Sequence, residues 1–202
     1  MSTKLASLLL IEQLQPATAA LLSKSNRIGA TLDAGKALLL FEVQPTGAID
    51  TVCDIVFKDI DAEPAIFQLD GRVAYLGITS DNISELRNVA QTVLETLGLP
   101  LPDGAGTLVS NTKVSNVSEP HAKLTGLAAR NEAVAAGDTL LTLECLPAPR
   151  AIRAMNETEK ATEFAAVDIR FTGSMGRFKL AGNDDVIRVA QDAALSAIEE
   201  GL

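Results

Sequence analysis

Aromatic residues and histidine are scarce in this chain of 202 residues, and their scarcity disfavours several functions. Aromatic side chains make up 3% of the residues, with no Trp and a single Tyr. Surfaces that bind single-stranded nucleic acid usually stack bases on aromatic rings, so that class is not expected. His121 is the only histidine. Beside Pro120 it is better interpreted as a surface or interface residue than as a catalytic base.

Clusters of Lys and Arg are also missing, and the formal net charge is −9. Nucleic-acid backbones and anionic membranes attract basic patches, so we expect neither as a partner. The apolar run Leu8–Ile11 is too short for a membrane span or a signal peptide. We therefore expect a cytoplasmic protein.

Cysteine is limited to Cys53 and Cys145, too few for a disulfide framework. We expect both thiols to be buried and reduced. Two distant cysteines and one histidine do not make a zinc site, and no glycine-rich nucleotide-binding loop follows a predicted strand. We expect no metal site and no cofactor.

What the chain does contain is a repeat that spans half its length. Ala34–Pro45 and Ala136–Pro147 agree at six of twelve positions, at an offset of 136 − 34 = 102. A repeat of this length indicates two copies of one domain, and a copy of about 100 residues can bury its own core. We expect domains at 1–101 and 102–202, joined near the linker Pro100–Gly106. Because no catalytic group is duplicated along with the two domains, the repeat favours a structural protein over an enzyme.

Hydrophobic periodicity predicts the same order in each copy: strand, short helix, strand, helix, strand, strand, helix. Ala37–Val43 is typical of a strand buried on both faces, and a stripe at helical spacing predicts a helix over 47–59. In the second copy a helix is expected over 149–163 and a turn over Gly173–Gly176. The stripe of the last helix matches the first copy best at an offset of 100.

Two pairs of equivalent charged residues are candidates for a role. Lys58 and Lys160 each end a predicted helix, where a cation either completes the helix terminus or reaches a neighbouring subunit at an edge. The pattern favours neither interpretation. Glu42 and Glu144 lie in separate copies, so they do not form an acid–base pair. We interpret them as acceptors of backbone hydrogen bonds from the turn that follows each strand.

Two strand–turn–strand tips are the remaining candidates. Their residues are Gln68, Leu69, Asp70, Gly71 and Arg72 in the first copy, and Thr172, Gly173, Ser174 and Met175 in the second. Glycine allows a tight approach of backbones. The tips are either plain hairpin turns or, if a symmetry axis gathers several copies, the lining of a shared opening.

Five segments resemble bacterial microcompartment shell proteins, specifically the tandem-domain, circularly permuted trimers of the carboxysome type. They are LQPATAALL (14–22), LLLFEVQPTGAIDTVCDIVFK (38–58), EPHAKL (119–124), AGDTLLTLECLPAPRAIRAMNETEKA (136–161) and GSMGRFKLAG (173–182). The resemblance covers nearly the whole chain, and the stretches through NETEKA and GSMGRFKLAG are the most specific.

The resemblance implies an α/β fold, an α+β sandwich of a small antiparallel sheet with helices packed on it, twice per chain. It implies a homotrimer of pseudohexameric shape that tiles edge to edge with other shell proteins; some relatives stack two trimers. Lys58 and Lys160 match the family's edge lysines. The two tips match the loops that meet at a central pore for small metabolites. Relatives with a gated pore carry an adjacent Glu-Arg pair, where this chain has Asp70-Gly71 followed by Arg72.

One alternative from another functional class remains open. A duplicated small-ligand-binding regulator would also consist of two copies, and it would hold its effector in a pocket between them. It predicts a monomer with an internal pocket and a stability that depends on ligand.

Overall fold

The two copies form two similar layers of sheet and helix in a computed structural model, which describes residues 3–25, 28, 30–58 and 62–200. The first half contains β1 (Lys4–Ile11), α1 (Pro16–Ser25), β2 (Ala37–Gln44), α2 (Ile49–Lys58), β3 (Glu63–Asp70), β4 (Val73–Ser80) and α3 (Ile83–Leu97). The second contains β5 (Thr107–Val114), α4 (Glu119–Ala129), β6 (Thr139–Leu146), α5 (Pro149–Ala161), β7 (Ala165–Thr172), β8 (Met175–Gly182) and α6 (Asp184–Glu199). The predicted order of elements is confirmed in both halves.

Each half has one antiparallel sheet of four strands. The strand orders are β1-β2-β4-β3 and β5-β6-β8-β7, so β2 and β4 are central in the first sheet and β6 and β8 in the second. β2 and β4 are buried on both faces, which agrees with the near-continuous apolar run of β2. The predicted fold class, a small antiparallel sheet with helices packed on it in each copy, is confirmed.

Helix α2 begins later than its apolar stripe predicted. A short 3-10 turn, Thr46–Ala48, follows Pro45, and the α-helix starts at Ile49. The last residue of the predicted span, 59, lies outside the described residues. Helix α5 ends at Ala161 rather than at 163.

The offset of 100 between the last helices is wrong. Leu86, Val89 and Val93 are buried in α3, and Ile187, Ala190 and Ala194 are buried in α6, an offset of 187 − 86 = 101. The N-cap residues agree, since Asn82 and Asn183 both accept backbone hydrogen bonds through Oδ1. The triplet Val-Ala-Gln occurs at both 89–91 and 189–191, an offset of 100, but burial rather than identity decides which residues are equivalent.

The two halves pack on each other along an in-chain junction, where β1 and α1 of the first half cover α5 and β7 of the second. A continuous apolar core crosses this junction and contains Leu9, Ile11 and Leu22 with Ile152 and Met155. Cys145 is buried as expected, whereas Cys53 is half-exposed on α2, so that expectation is wrong for Cys53. In the described part of the chain, the helices are too short or too polar to cross a membrane.

Candidate functional site

The two candidate tips are hairpins with two-residue turns. Gly71-Arg72 joins β3 to β4, and Gly173-Ser174 joins β7 to β8. The two glycines have φ of +61° and +56°, a backbone conformation that glycine adopts without strain. Both glycines therefore allow the tight turns predicted for them.

The predicted tip residues divide between strand ends and turns. Gln68, Leu69 and Asp70 end β3, opposite Tyr75, Ala74 and Val73 of β4. Thr172 pairs with Met175 at the base of the second turn. The predicted turn over Gly173–Gly176 is too long, because Gly176 is a strand residue of β8 that pairs with Phe171 and Cys145.

The two tips meet within one chain. The Asp70 carboxylate accepts a hydrogen bond from the Gly173 amide, with 2.8 Å between Oδ2 and N. The Tyr75 hydroxyl donates to the Gly173 carbonyl. Both polar backbone groups of Gly173 are therefore held by the first half, so the second tip is positioned by the first.

Tyr75, the single tyrosine, is fully buried at the point where the halves meet. Its ring lies 4.7 Å from the Phe171 ring, centroid to centroid. Burial raises the pKa of the Tyr75 hydroxyl, and the nearby Glu42 and Asp70 carboxylates add to the effect. The hydroxyl is therefore a hydrogen-bond donor throughout the physiological range. The sequence offered no signal for this role other than the rarity of tyrosine.

Glu42 lies in the same junction and is completely buried. Its Oε2 accepts from the backbone amide of Ala148 at 3.2 Å, while Oε1 has no hydrogen-bond partner among the described residues. Loss of solvation, opposed by the bond from Ala148 and by Lys4, raises the pKa of this carboxyl to about 7. The predicted acceptor role is right, but the predicted donor is wrong, because Ala148 belongs to the turn of the other half.

The carboxyl end of α5 holds the beginning of α1. The Glu159 carboxylate accepts from the amides of Ala17 and Thr18 and from the Thr18 hydroxyl, at 2.6, 2.9 and 2.9 Å. Asn156 is buried and accepts from the Gln15 amide at 2.8 Å. A carboxylate at a helix N-terminus satisfies amides that have no partner within the helix. The NETEKA stretch is thus a contact between the two halves.

Lys58 and Lys160 lie in the last turns of α2 and α5, as predicted. Each is exposed and forms an ion pair on its own helix, Lys58 with Asp54 at 2.6 Å and Lys160 with Glu157 at 2.7 Å. Exposed pairs of this kind contribute little to stability. Both ammonium groups therefore lie at the surface of the chain.

Within the described residues, no group of three or more His, Cys, Asp and Glu side chains could hold a metal ion. A cleft of about 540 Å³ does lie between the halves. It is lined from both halves by α1, α4, β3 and β7, with Lys24, Arg130 and Arg170 among its polar residues. A regulator with an effector between the copies would need such a cleft.

Comparison with known proteins distinguishes the two functional classes. Residues 5–103 match the family model of the CsoS1D N-terminal domain. The carboxysome shell protein CcmP of Synechococcus elongatus is 30% identical over 166 residues, which cover 82% of this chain and 78% of that protein. The chain belongs to the tandem-domain microcompartment shell proteins. The carboxysome shell protein CsoS1D of Prochlorococcus marinus is 27% identical over 98% of the chain and 77% of that protein.

Solved structures of shell proteins have the same fold over both halves. The fused permuted hexameric shell protein MSM0275 from the RMM microcompartment matches with a TM-score of 0.88 and 30% identity, covering 96% of each chain. The double-ringed trimeric shell protein MSM0271 from the same microcompartment matches with a TM-score of 0.89 and 26% identity, over 97% and 96%. These matches confirm the prediction of a structural shell protein with two permuted domains, and they favour it over the regulator.

Proposed function

We propose that three copies of this shell protein form a pseudohexameric disc that tiles the shell of a cytoplasmic microcompartment and carries a central metabolite pore. Three chains supply six similar halves, and the convergence of the two hairpin tips within one chain supports this arrangement. We propose that it is not an enzyme, since its single histidine leaves no repeated nucleophile–base pair. We place the boundary between the two domains at residues 101 and 102.

The convergence of the tips is the observation that carries the pore. Asp70 of the first tip binds Gly173 of the second, so each chain brings both tips to one place. Three such pairs around a threefold axis would line one opening. Arg72 is exposed, so three copies of its charge would contribute to the electrostatic potential of this opening. Rings of charged side chains select which ions enter a pore.

The pore proposal predicts different effects for the two charged tip residues. Arg72→Ala removes three positive charges from the opening, and we expect the passage of anions relative to cations to fall by about tenfold. Asp70→Asn keeps an oxygen acceptor for the Gly173 amide, whereas Asp70→Ala removes both the acceptor and the charge. We therefore expect Asp70→Ala, but not Asp70→Asn, to widen or disorder the opening.

Conductance of trimers in planar bilayers or release of charged dyes from assembled shells would measure these effects. Arg87→Ala, which removes an exposed arginine from α3, is the matched control. Unchanged selectivity in Arg72→Ala together with unchanged passage in Asp70→Ala would contradict the pore.

The tiling proposal assigns the shell edge to Lys58 and Lys160. Both are exposed at equivalent helix ends, so a disc would present six such ammonium groups around its rim. We expect electron microscopy to show discs with a central hole that form hexagonal sheets, and the double variant Lys58→Ala, Lys160→Ala to keep the discs and lose the sheets. Arg188→Ala on α6 is the control. Sheets of normal extent in the double variant would exclude the edge role.

A further inference from the structure

The glycine carbonyls of the two tips are held by hydroxyl groups from different parts of the fold. The Thr46 hydroxyl donates to the Gly71 carbonyl oxygen at 2.8 Å, and the Tyr75 hydroxyl donates to the Gly173 carbonyl oxygen. The two glycines are equivalent at the offset of 102 between the halves. The two hydroxyls are not equivalent, since Thr46 begins the 3-10 turn before α2 and Tyr75 lies on β4. Each tip therefore has an anchoring hydroxyl of its own.

Neither anchoring hydroxyl recurs at the equivalent position of the other half. Thr46 corresponds to Ala148 and Tyr75 corresponds to Arg177, neither of which has a hydroxyl group. The shared hydrogen bond is therefore not a simple consequence of the duplication, because two unrelated side chains hold the same carbonyl. A contact that is made twice by different means indicates that the position of this carbonyl matters at both tips.

The turn geometry makes this carbonyl the group that moves if a tip rearranges. In each two-residue turn the glycine has positive φ, whereas Arg72 and Ser174, both among the described residues, do not. This combination fits a type II′ hairpin turn. Rotation of the peptide after the glycine converts the turn to type I′, which turns the glycine carbonyl around and requires positive φ at the second residue. That conformation is strained for Arg72 and Ser174, because neither is glycine.

The anchoring hydroxyls add a second cost to the same rearrangement. Rotation of the peptide after Gly173 breaks the hydrogen bond from Tyr75, whose side chain is fully buried, and leaves the hydroxyl without an acceptor. An unpaired buried donor disfavours a state by about tenfold to a hundredfold. The Asp70 carboxylate holds the Gly173 amide at 2.8 Å, so the peptides on both sides of Gly173 are fixed.

We propose that Thr46 and Tyr75 are positioning residues that hold both tips in one conformation, so that the opening has a single aperture and admits small polar solutes by size without opening and closing. This role rests on the proposed pore and specifies what determines its width. The side chains of Arg72 and Ser174 occupy the second position of each turn and keep their own freedom. The backbone then selects solutes by size, and the side chains select them by charge.

Single-channel recordings of trimers in planar bilayers test the anchoring hydroxyls, with neutral polyethylene glycols of graded mass as probes of size. We expect one conductance level and one size limit for the unmodified protein. Tyr75→Phe removes the hydroxyl but keeps a ring to pack on Phe171, and Thr46→Val keeps the shape of the side chain. In both variants we expect a second, wider level, which admits larger probes and is occupied about ten times as long as in the unmodified protein.

Thr92→Val is the matched control for the loss of a hydroxyl. The Thr92 hydroxyl donates to the Asn88 carbonyl at 2.9 Å within α3, on an exposed residue. Because this hydrogen bond holds neither tip, we expect the variant to keep the single level and the size limit of the unmodified protein.

Ser174→Gly separates positioning from a general loss of stability. Glycine adopts positive φ, so this change removes the strain of the rotated turn and leaves the Tyr75 hydroxyl in place. We expect the wider level to be occupied about ten times as long in Ser174→Gly, and about a hundred times as long when Ser174→Gly is combined with Tyr75→Phe. A Tyr75→Phe variant that acted only by weakening the fold would show no such dependence on residue 174.

The outcomes distinguish the anchoring role from the pore. A wider level in Tyr75→Phe and Thr46→Val, absent from Thr92→Val, supports the anchoring role. If the two variants behave as Thr92→Val does, or if the unmodified protein itself switches between apertures, the anchoring role is wrong and the pore stands. If the trimers conduct no ions and admit no probe of any size, the proposed pore is overturned, and the anchoring role with it.

Discussion

Gly176→Ala is expected to destabilise the protein by about 3 kcal/mol, whereas Gly182→Ala in the same strand changes the free energy of unfolding by less than about 1 kcal/mol. A Cβ at Gly176 would collide with the Ala148 carbonyl oxygen and lie 2.7 Å from the Ala151 Cβ. Both obstacles belong to the start of α5, which is itself packed in the junction. At Gly182 the nearest atom to a new Cβ is at an ordinary 3.5 Å.

Chemical denaturation of the two variants at one pH measures this difference. Both glycines lie in β8, and neither has the positive φ that would strain an alanine, so the comparison isolates packing. An equal stability of the two variants would mean that α5 can move away from β8 at little cost.

The stability of the protein is expected to fall by up to about 3 kcal/mol as the pH rises from 4.5 to about 7, because of Glu42. Burial raises the pKa of this carboxyl in the folded state to about 7, from an ordinary value of 4.5. Below pH 4.5 the Glu42 carboxyl is protonated in both the folded and the unfolded state, so no stability is lost. Between the two values the folded state binds more protons, so stability decreases with pH, and above 7 the loss is complete.

Glu42→Gln should remove this dependence, because the amide keeps an acceptor for Ala148 and carries no charge. At pH 8 we expect the variant to be more stable than the parent by about 2 kcal/mol, since an unpaired amide donor offsets about 1 kcal/mol of the gain. Chemical denaturation of parent and variant at pH 5, 6, 7 and 8 measures this difference in the free energy of unfolding. Glu95→Gln is the control, because Glu95 is an exposed carboxylate of α3. A parallel pH slope in parent and Glu42→Gln would show that Glu42 is not the titrating group.

The sequence alone predicted the architecture because periodicity and repetition are local properties. The matched stretch from Ala34 to Pro45, repeated from Ala136, established two copies. The apolar run of β2 and the stripe of α2 determined strand and helix. The quoted segments, NETEKA among them, gave the resemblance to microcompartment shell proteins. The tips and both lysines could be located in the same way, since each lies at the end of an element whose type the pattern determines.

The contacts between halves could not be predicted, because they join residues about 100 positions apart. Glu42 was expected to bind its own turn, but packing brings Ala148 to it instead. Gly176 was assigned to a turn, yet its small size serves the approach of α5.

Sequence by itself therefore determined that the chain contains two copies of one α/β domain, because burial patterns along a chain are visible without coordinates, and the quoted segments gave the resemblance to shell proteins. Tertiary structure alone decided how the copies differ. Positions that are buried on α5, such as Ile152 and Met155, have half-exposed or exposed equivalents on α2, Asp50 and Cys53. The physical reason is that a chain with two copies forms one junction within itself, in which each copy presents a different face, so the two copies have different surroundings.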